Sequence, residues 1–294
     1  MAFELVEVNQ HRAHNKKKNV VQEMEMPYSP RAILSRYLKK IGSRRPIFAA
    51  AQHEFLQLRT VASSYAKSKD ILLDGDVSDV SFIVASGMVS RSKTSREGKR
   101  QILALHVPGD MIYLQSAMPF PLDHDIRAHP NTRLLAVYGS DLAALAATHQ
   151  DFGQALWLDA AIEIAILREW AVSLGRRDAT QRLSHLILEL AERYRAVELL
   201  TNEGFPMPLN QQDLSEALGM TIIHLNRVAQ ALRRQGLIEW RGHRVKIINW
   251  KSLRAGADFD SGYLRLPRPE TDNGEARRDS SPSIPFAPAT GLPA

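Results

Sequence analysis

The chain has no cysteine. That excludes disulfides, cysteine-held zinc, iron–sulfur clusters and thiol nucleophiles. It also lacks any apolar run approaching the ~18–20 residues that cross a bilayer. The first twenty residues mix Glu, His and Lys around no apolar stretch, so no secretory signal is expected there. There is no P-loop, no metal-binding His-Glu pair, no Gly-x-Ser-x-Gly elbow and no paired-carboxylate constellation. The expectation is a cytoplasmic protein that is not an enzyme, with no catalytic residue, metal, cofactor or membrane contact. What is present is ordinary globular composition: 294 residues, 44% hydrophobic and 24% charged, enough for about two domains. Lys and Arg number 38 against 32 Asp and Glu, a net +6 that favours an anionic partner.

Five regions follow from composition and period. Residues 1–45 carry Lys16, Lys17, Lys18, Arg31, Arg36, Lys39, Lys40, Arg44 and Arg45. Ile33, Leu34, Tyr37, Leu38 and Ile41 repeat at helical spacing before Gly42. This reads as a solvated basic arm with one short amphipathic helix; an arm touching DNA or another subunit is the alternative. Residues 46–150 hold, from about Val61, short β-branched segments parted by Asp74-Gly75-Asp76, Ser86-Gly87, Glu97-Gly98, Pro108-Gly109-Asp110 and Gly139. That spacing predicts a small antiparallel barrel or sandwich.

Residues 151–175 read as one long helix. Leu156, Ala160, Leu167, Trp170 and Leu174 form one stripe; Leu158, Ile162, Ala165 and Ile166 form a second. A helix apolar on two sides must be covered on two sides. A second copy is the simplest cover for the first stripe, which makes those five residues the expected homodimer interface. Burial wholly within one chain is the alternative. Residues 251–294 are punctuated by Pro267, Pro269, Pro282, Pro285, Pro288 and Pro293 and read as a disordered tail.

Residues 176–250 carry the chemistry. Asp178 and Gln181 make a capping box that opens a helix lined by Leu183, Leu186, Ile187, Leu190 and Tyr194. Further on, Asn210 starts a helix with Leu214, Ala217 and Leu218 inside, Gly219 makes a turn, and Thr221 caps a second helix with Leu225, Val228, Ala229 and Leu232 inside. Small residues at such a turn let two helices cross steeply, as in a helix–turn–helix. Ile238, Trp240, Val245 and Ile247 alternate around Arg241-Gly242-His243-Arg244 and read as a hairpin wing. The outer side of the second helix holds Ile223, His224, Asn226 and Arg227, placed for base edges. Arg227 can grip guanine O6 and N7, and Asn226 can pair with adenine. Thr221, Gln230, Arg233, Arg234, Arg241, Arg244 and Lys246 are the expected phosphate contacts.

The runs Leu174-Gly175-Arg176-Arg177-Asp178-Ala179 and Gln181-Arg182-Leu183-Ser184-His185-Leu186 resemble the Crp/Fnr family of bacterial transcription regulators. So do Asp213-Leu214-Ser215, Leu218-Gly219-Met220-Thr221, His224-Leu225-Asn226-Arg227 and Gly236-Leu237-Ile238, and upstream Gly98-Lys99-Arg100-Gln101-Ile102 with Pro108-Gly109-Asp110. The likeness covers roughly residues 46–250. It implies an α+β fold: a cyclic-nucleotide-binding-like β-roll, a long dimerisation helix and a C-terminal winged helix–turn–helix. It implies a homodimer on near-palindromic double-stranded DNA, with RNA polymerase as a further partner and an effector that the sequence does not name. The alternative is a small-molecule sensor that acts through protein partners and keeps a vestigial DNA-binding domain.

Two departures from the family pattern matter. Members that bind cyclic AMP carry a Gly-Glu pair and an Arg-x-Ala run after Pro-Gly-Asp. Here Leu114-Gln115-Ser116-Ala117-Met118-Pro119-Phe120-Pro121 has no Gly-Glu, and its prolines remove amide donors. Arg127-Ala128 is followed by His129-Pro130, and cyclic nucleotide binding is not expected. Many relatives also place a glutamate where this chain has Ile223. Glutamate accepts a hydrogen bond from cytosine; isoleucine offers only apolar contact such as the thymine methyl.

Overall fold

The computed structural model describes residues 29–117 and 120–266. Ser29 caps the first helix, α1 (Pro30–Gly42), by accepting from the Ala32 amide, and Pro30 sits where its missing N–H costs nothing. Ile33, Leu34, Tyr37, Leu38 and Ile41 are all buried on one face. This corrects the expectation of a solvated arm through residue 45. Five apolar side chains at helical spacing stabilise the fold more by burial than by solvation of the intervening lysines. Residues 1–28 of that arm, with Lys16, Lys17 and Lys18, lie outside the described residues. A short helix, α2 (Ala49–Phe55), follows.

Eight strands come next: β1 (Thr60–Tyr65), β2 (Lys69–Leu72), β3 (Val80–Ser86), β4 (Val89–Thr94), β5 (Arg100–His106), β6 (Met111–Ile112), β7 (Asp125–Ala128) and β8 (Thr132–Tyr138). They form two antiparallel sheets, ordered β1-β8-β3-β6 and β2-β7-β4-β5. Alternation decides which side chain faces which layer. Phe82, Val84, Ile112 and Leu134 from one sheet meet Val89 and Ile126 from the other, with Tyr113 and Leu122 between. Ile83, Ala85, Leu135 and Val137 point the other way, onto α1, α2, the next helix α3 (Gly139–Thr148) and the start of the long α4 (Gln150–Arg176). Both faces of that sheet are therefore dry, and its central strands read as continuous apolar runs. Gly87 turns β3 into β4 at φ +82°; a Cβ there would lie 2.5 Å from the Thr132 main chain, so only glycine fits.

The outer face of the second sheet opens into the C-terminal half. Met88, Ile102, Leu105 and Val107 share one core with Trp170 of α4, with α5 (Ala179–Ala196), and with everything downstream. Downstream are β9 (Phe205–Pro206), α6 (Gln211–Leu218), α7 (Ile222–Arg234), β10 (Ile238–Arg241), β11 (Arg244–Ile247) and α8 (Trp250–Ala257). The wing is a sheet ordered β10-β11-β9. Leu253 and Ala257 of α8, with Phe259 and Leu264 after it, are buried in this core. That corrects the tail expected from residue 251. The apolar residues at 253, 257, 259 and 264 close over α5 before the proline-rich composition begins. Residues 267–294 of the expected tail lie outside the described residues.

A buried ionic node joins these layers. Asp110, in the Pro-Gly-Asp turn, accepts from Lys40 of α1 at 2.6 Å, from Arg193 of α5 at 2.5 Å and from the Val107 amide at 2.8 Å. Burial alone would raise its pKa, but Arg193 and Lys40 outweigh burial and hold the carboxyl well below its usual range. Arg193 also reaches Glu189, which accepts from Trp170 and from Tyr263 beyond α8.

Candidate nucleic-acid interface

α6 and α7 are built by local signals. Asn210 and Asp213 form a reciprocal capping box at the start of α6. Gly219 ends that helix in the left-handed region, at φ +59°, which a side chain would resist. The Thr221 hydroxyl accepts from the His224 amide at 3.2 Å and starts α7. Leu225, Val228 and Leu232 are buried beneath α7, so its opposite side must face outward.

On that outward side Ile223 is 83% exposed. Arg227, Gln230, Arg233 and Arg234 are exposed too and lie along one stripe. No described residue forms a hydrogen bond or ion pair with the guanidinium group of Arg227, Arg233 or Arg234. Several other arginines are committed, Arg44 to Asp159, Arg91 to Glu163, Arg100 to Asp213 and Glu216, and Arg177 to Glu169, while Arg31, Arg96, Arg168 and Arg176 share the free state of the α7 row among the described residues. Unpaired guanidinium groups in one row form a surface that attracts anions.

The other expected contacts differ in how free they are. Asn226 is half-buried and donates to Gln211 Oε1 at 3.1 Å; His224 is half-buried with its backbone in the cap. Thr221 uses its hydroxyl within the fold. In the wing, Arg241 lies 3.6 Å from Glu239, and Lys246 is half-buried. Arg244 donates to the Gly204 carbonyl at 2.9 Å and to the Thr201 hydroxyl at 3.2 Å, holding the turn before β9. Its role in the fold is thus structural as well as electrostatic.

The five stripe residues of α4 divide. Trp170 is buried in the chain's own core and donates to Glu189 at 3.1 Å, and Leu156 packs half-buried beside α1 to α3. Trp170 is a correction, because Glu189 and the chain's own core cover it, while Leu156 is half-buried like Ala160 and Leu174. Ala160, Leu167 and Leu174 lie at the surface or half-buried. Trp157, 78% exposed, and Ile164, 51% exposed, share their side with Ala171. The stripe reading missed them. Spaced 157, 160, 164, 167, 171 and 174, these residues alternate by three and four, the spacing of a coiled-coil seam, and that signal was available in the sequence.

The space between the β-roll sheets is filled by Phe82, Tyr113, Leu122 and their neighbours, with the Tyr113 hydroxyl bonded to the Phe120 carbonyl. Arg127 forks onto Asp70 at 2.6 and 3.0 Å. These residues do not fit a cyclic nucleotide: the interior is occupied by apolar side chains, and the arginine already has its carboxylate.

Two family models match the chain: the Crp-like helix-turn-helix domain over residues 181–255 and the cyclic nucleotide-binding domain over residues 62–149. The transcriptional activator protein FnrL of Cereibacter sphaeroides is 26% identical over 205 residues, 68% of this chain and 82% of that protein. The nitrogen fixation regulation protein FixK of Azorhizobium caulinodans is 28% identical over 188 residues, 64% of this chain and 75% of that protein. The solved structure of FixK2 from Bradyrhizobium japonicum superposes with a TM-score of 0.61 at 27% identity, covering 67% of this chain and 97% of that one. α1 falls outside both family models.

Proposed function

This chain belongs to the Crp/Fnr family of transcription regulators, and from that premise we propose that it works as a homodimer on near-palindromic operator DNA in the cytoplasm, without a cyclic nucleotide. The observation that carries the reading is the unpaired row Arg227, Arg233 and Arg234 beside exposed Ile223 on α7. Arg227 reads a guanine; Ile223 packs on a thymine methyl; Asn226 turns from Gln211 to an adenine, and His224 supports them. Thr221, Gln230, Arg233, Arg234, Arg241, Arg244 and Lys246 hold phosphates. The seam from Trp157 to Leu174 on α4 pairs two protomers and sets their α7 helices about one DNA turn apart, ~34–36 Å. RNA polymerase is the partner through which the bound dimer acts.

Selection from random duplexes with the full chain tests this directly. The expected product is a two-fold sequence whose half-site differs, at the pair facing residue 223, from that of glutamate-bearing relatives. Ile164→Glu should give a monomer by sedimentation and lose preference for the two-fold site. A chain that retains no duplex at low salt overturns the reading and favours a sensor acting through protein partners.

A further inference from the structure

The β-roll grips the helix–turn–helix directly. Arg100, the first residue of β5, donates Nη2 to Asp213 Oδ1 at 2.6 Å and Nε to Glu216 Oε2 at 2.5 Å. Its neighbour Gln101 donates to the Glu216 carbonyl at 2.6 Å. Buried His129, at the end of the β7–β8 side, places Nδ1 3.6 Å from Asp213 Oδ2. Asp213 is the same carboxylate that closes the cap of α6. The Arg100, Asp213 and Glu216 side chains are 17%, 6% and 14% exposed, so the fork is largely shielded from solvent.

A planar guanidinium held by two carboxylates one helical turn apart fixes a helix in rotation as well as position. α6 in turn carries α7, through the Gly219 turn and the core that Leu214 and Leu218 share with Leu225. The DNA-reading helix is therefore joined to the rest of its protomer by the chain itself, where α4 passes into α5, by the apolar core and the Asp110–Arg193 pair that seat α5 on the β-roll, and by this fork, which grips α6 off that axis. A single attachment leaves a hinge; a second one, off the hinge axis, removes the rotation.

We propose that Arg100 is a positioning residue that sets the spacing between half-sites this regulator accepts. The proposal rests on the dimeric, two-half-site reading above. Two-fold symmetry doubles any rotation of α7 relative to the α4 seam. With the fork closed, only one separation of half-sites meets both helices. With the fork open, each winged domain turns until it finds its half-site, and neighbouring spacings become equivalent. The contact of each α7 with its own half-site does not change.

The test uses the full chain, the selected operator, the same operator lengthened or shortened by one central base pair, and a lone half-site. Unmodified protein should favour its own spacing by about tenfold or more. Arg100→Gln and Glu216→Gln should each reduce that ratio to about twofold or less, with half-site affinity retained. The two changes move the net charge in opposite directions, so a shared loss of spacing preference is not a general charge effect. The double variant should be no worse than either single one, because both remove one interaction. Arg100→Lys, which keeps the charge but not the fork, should fall between. Melting temperature and sedimentation establish that each variant is folded and dimeric. Folded, dimeric variants that keep the original spacing ratio overturn the proposal, as do variants whose half-site affinity falls in step with operator affinity. Unmodified protein that binds no duplex overturns the regulator reading itself, and this inference with it.

Discussion

The interior of the β-roll and the outer side of α7 use their side chains in opposite ways. Between the two sheets Val84, Val89, Ile112, Ile126 and Leu134 are fully covered by one another. Along α7 the guanidinium groups of Arg227, Arg233 and Arg234 form no hydrogen bond or ion pair with the described residues, whereas Arg44, Arg91 and Arg193 are paired within the fold. The domain whose family likeness is to nucleotide binding fills the space between its sheets with its own apolar side chains. The domain next to it has left its strongest electrostatic groups unsatisfied. Burial stabilises the first, and an external anion completes the second.

Four measurements sharpen or break that contrast. The largest effect is expected from Leu134→Ala in the β-roll. Removing a fully buried leucine should cost about 2–5 kcal/mol in urea unfolding while operator affinity of the folded protein stays the same. Arg227→Ala should show the reverse: about 1–3 kcal/mol lost in binding at one base pair, and unfolding changed by no more than ~0.5 kcal/mol. If either variant showed both losses together, the two regions would not be separable.

Buried imidazoles give the next effect. Burial pushes His185 down to about 3 and His129 down to about 4, with Arg177 adding to the shift at His185. In the unfolded chain both titrate near 6.5. Between pH 6.5 and about 4 the unfolded state then binds more protons, so folding stability present above that window is lost as pH falls through it. Each imidazole contributes a slope on the order of 1 kcal/mol per pH unit below pH 6. Denaturation at stepped pH should show the slope, and His185→Phe, set between Phe259 and Tyr263, should flatten it. An unchanged slope would mean that His185 is open to water. The smallest effect is expected from Arg233→Ala. It should weaken all duplexes alike, by a few tenths of a kcal/mol to about 1 kcal/mol, and lower the salt slope by about one. Loss confined to one base pair would move Arg233 from the phosphates to the bases.

Much of this molecule was legible in its residues. Asn210, Asp213, Gly219 and Thr221 each act within one helical turn, so capping and turn rules place α6 and α7 without reference to anything distant. The apolar runs of β3 and β8, by contrast, mark strands but not which face each side chain takes. The seam on α4 was half legible. Trp170 obeys the same period as Leu156, Ala160, Leu167 and Leu174, and only its place in the core beside Glu189 reveals that it is already covered. The segments about α1 and α8 depart from the sequence reading for the same reason. Basic residues around α1 and prolines after α8 dominate the composition there, while the apolar faces that bury Tyr37 and Leu264 find their partners far away in sequence.

Residue pattern alone marked the family resemblance, the change from strands to helices near residue 150, the helix–turn–helix with its wing and the cationic side of α7, because these depend on neighbours within a turn or a hairpin. Tertiary structure decided which cations remain unpaired, which side of α4 stays uncovered, and that Arg100 reaches Asp213 across 113 residues. Such pairings depend on which distant carboxylate or apolar face arrives first, and packing in three dimensions settles that competition.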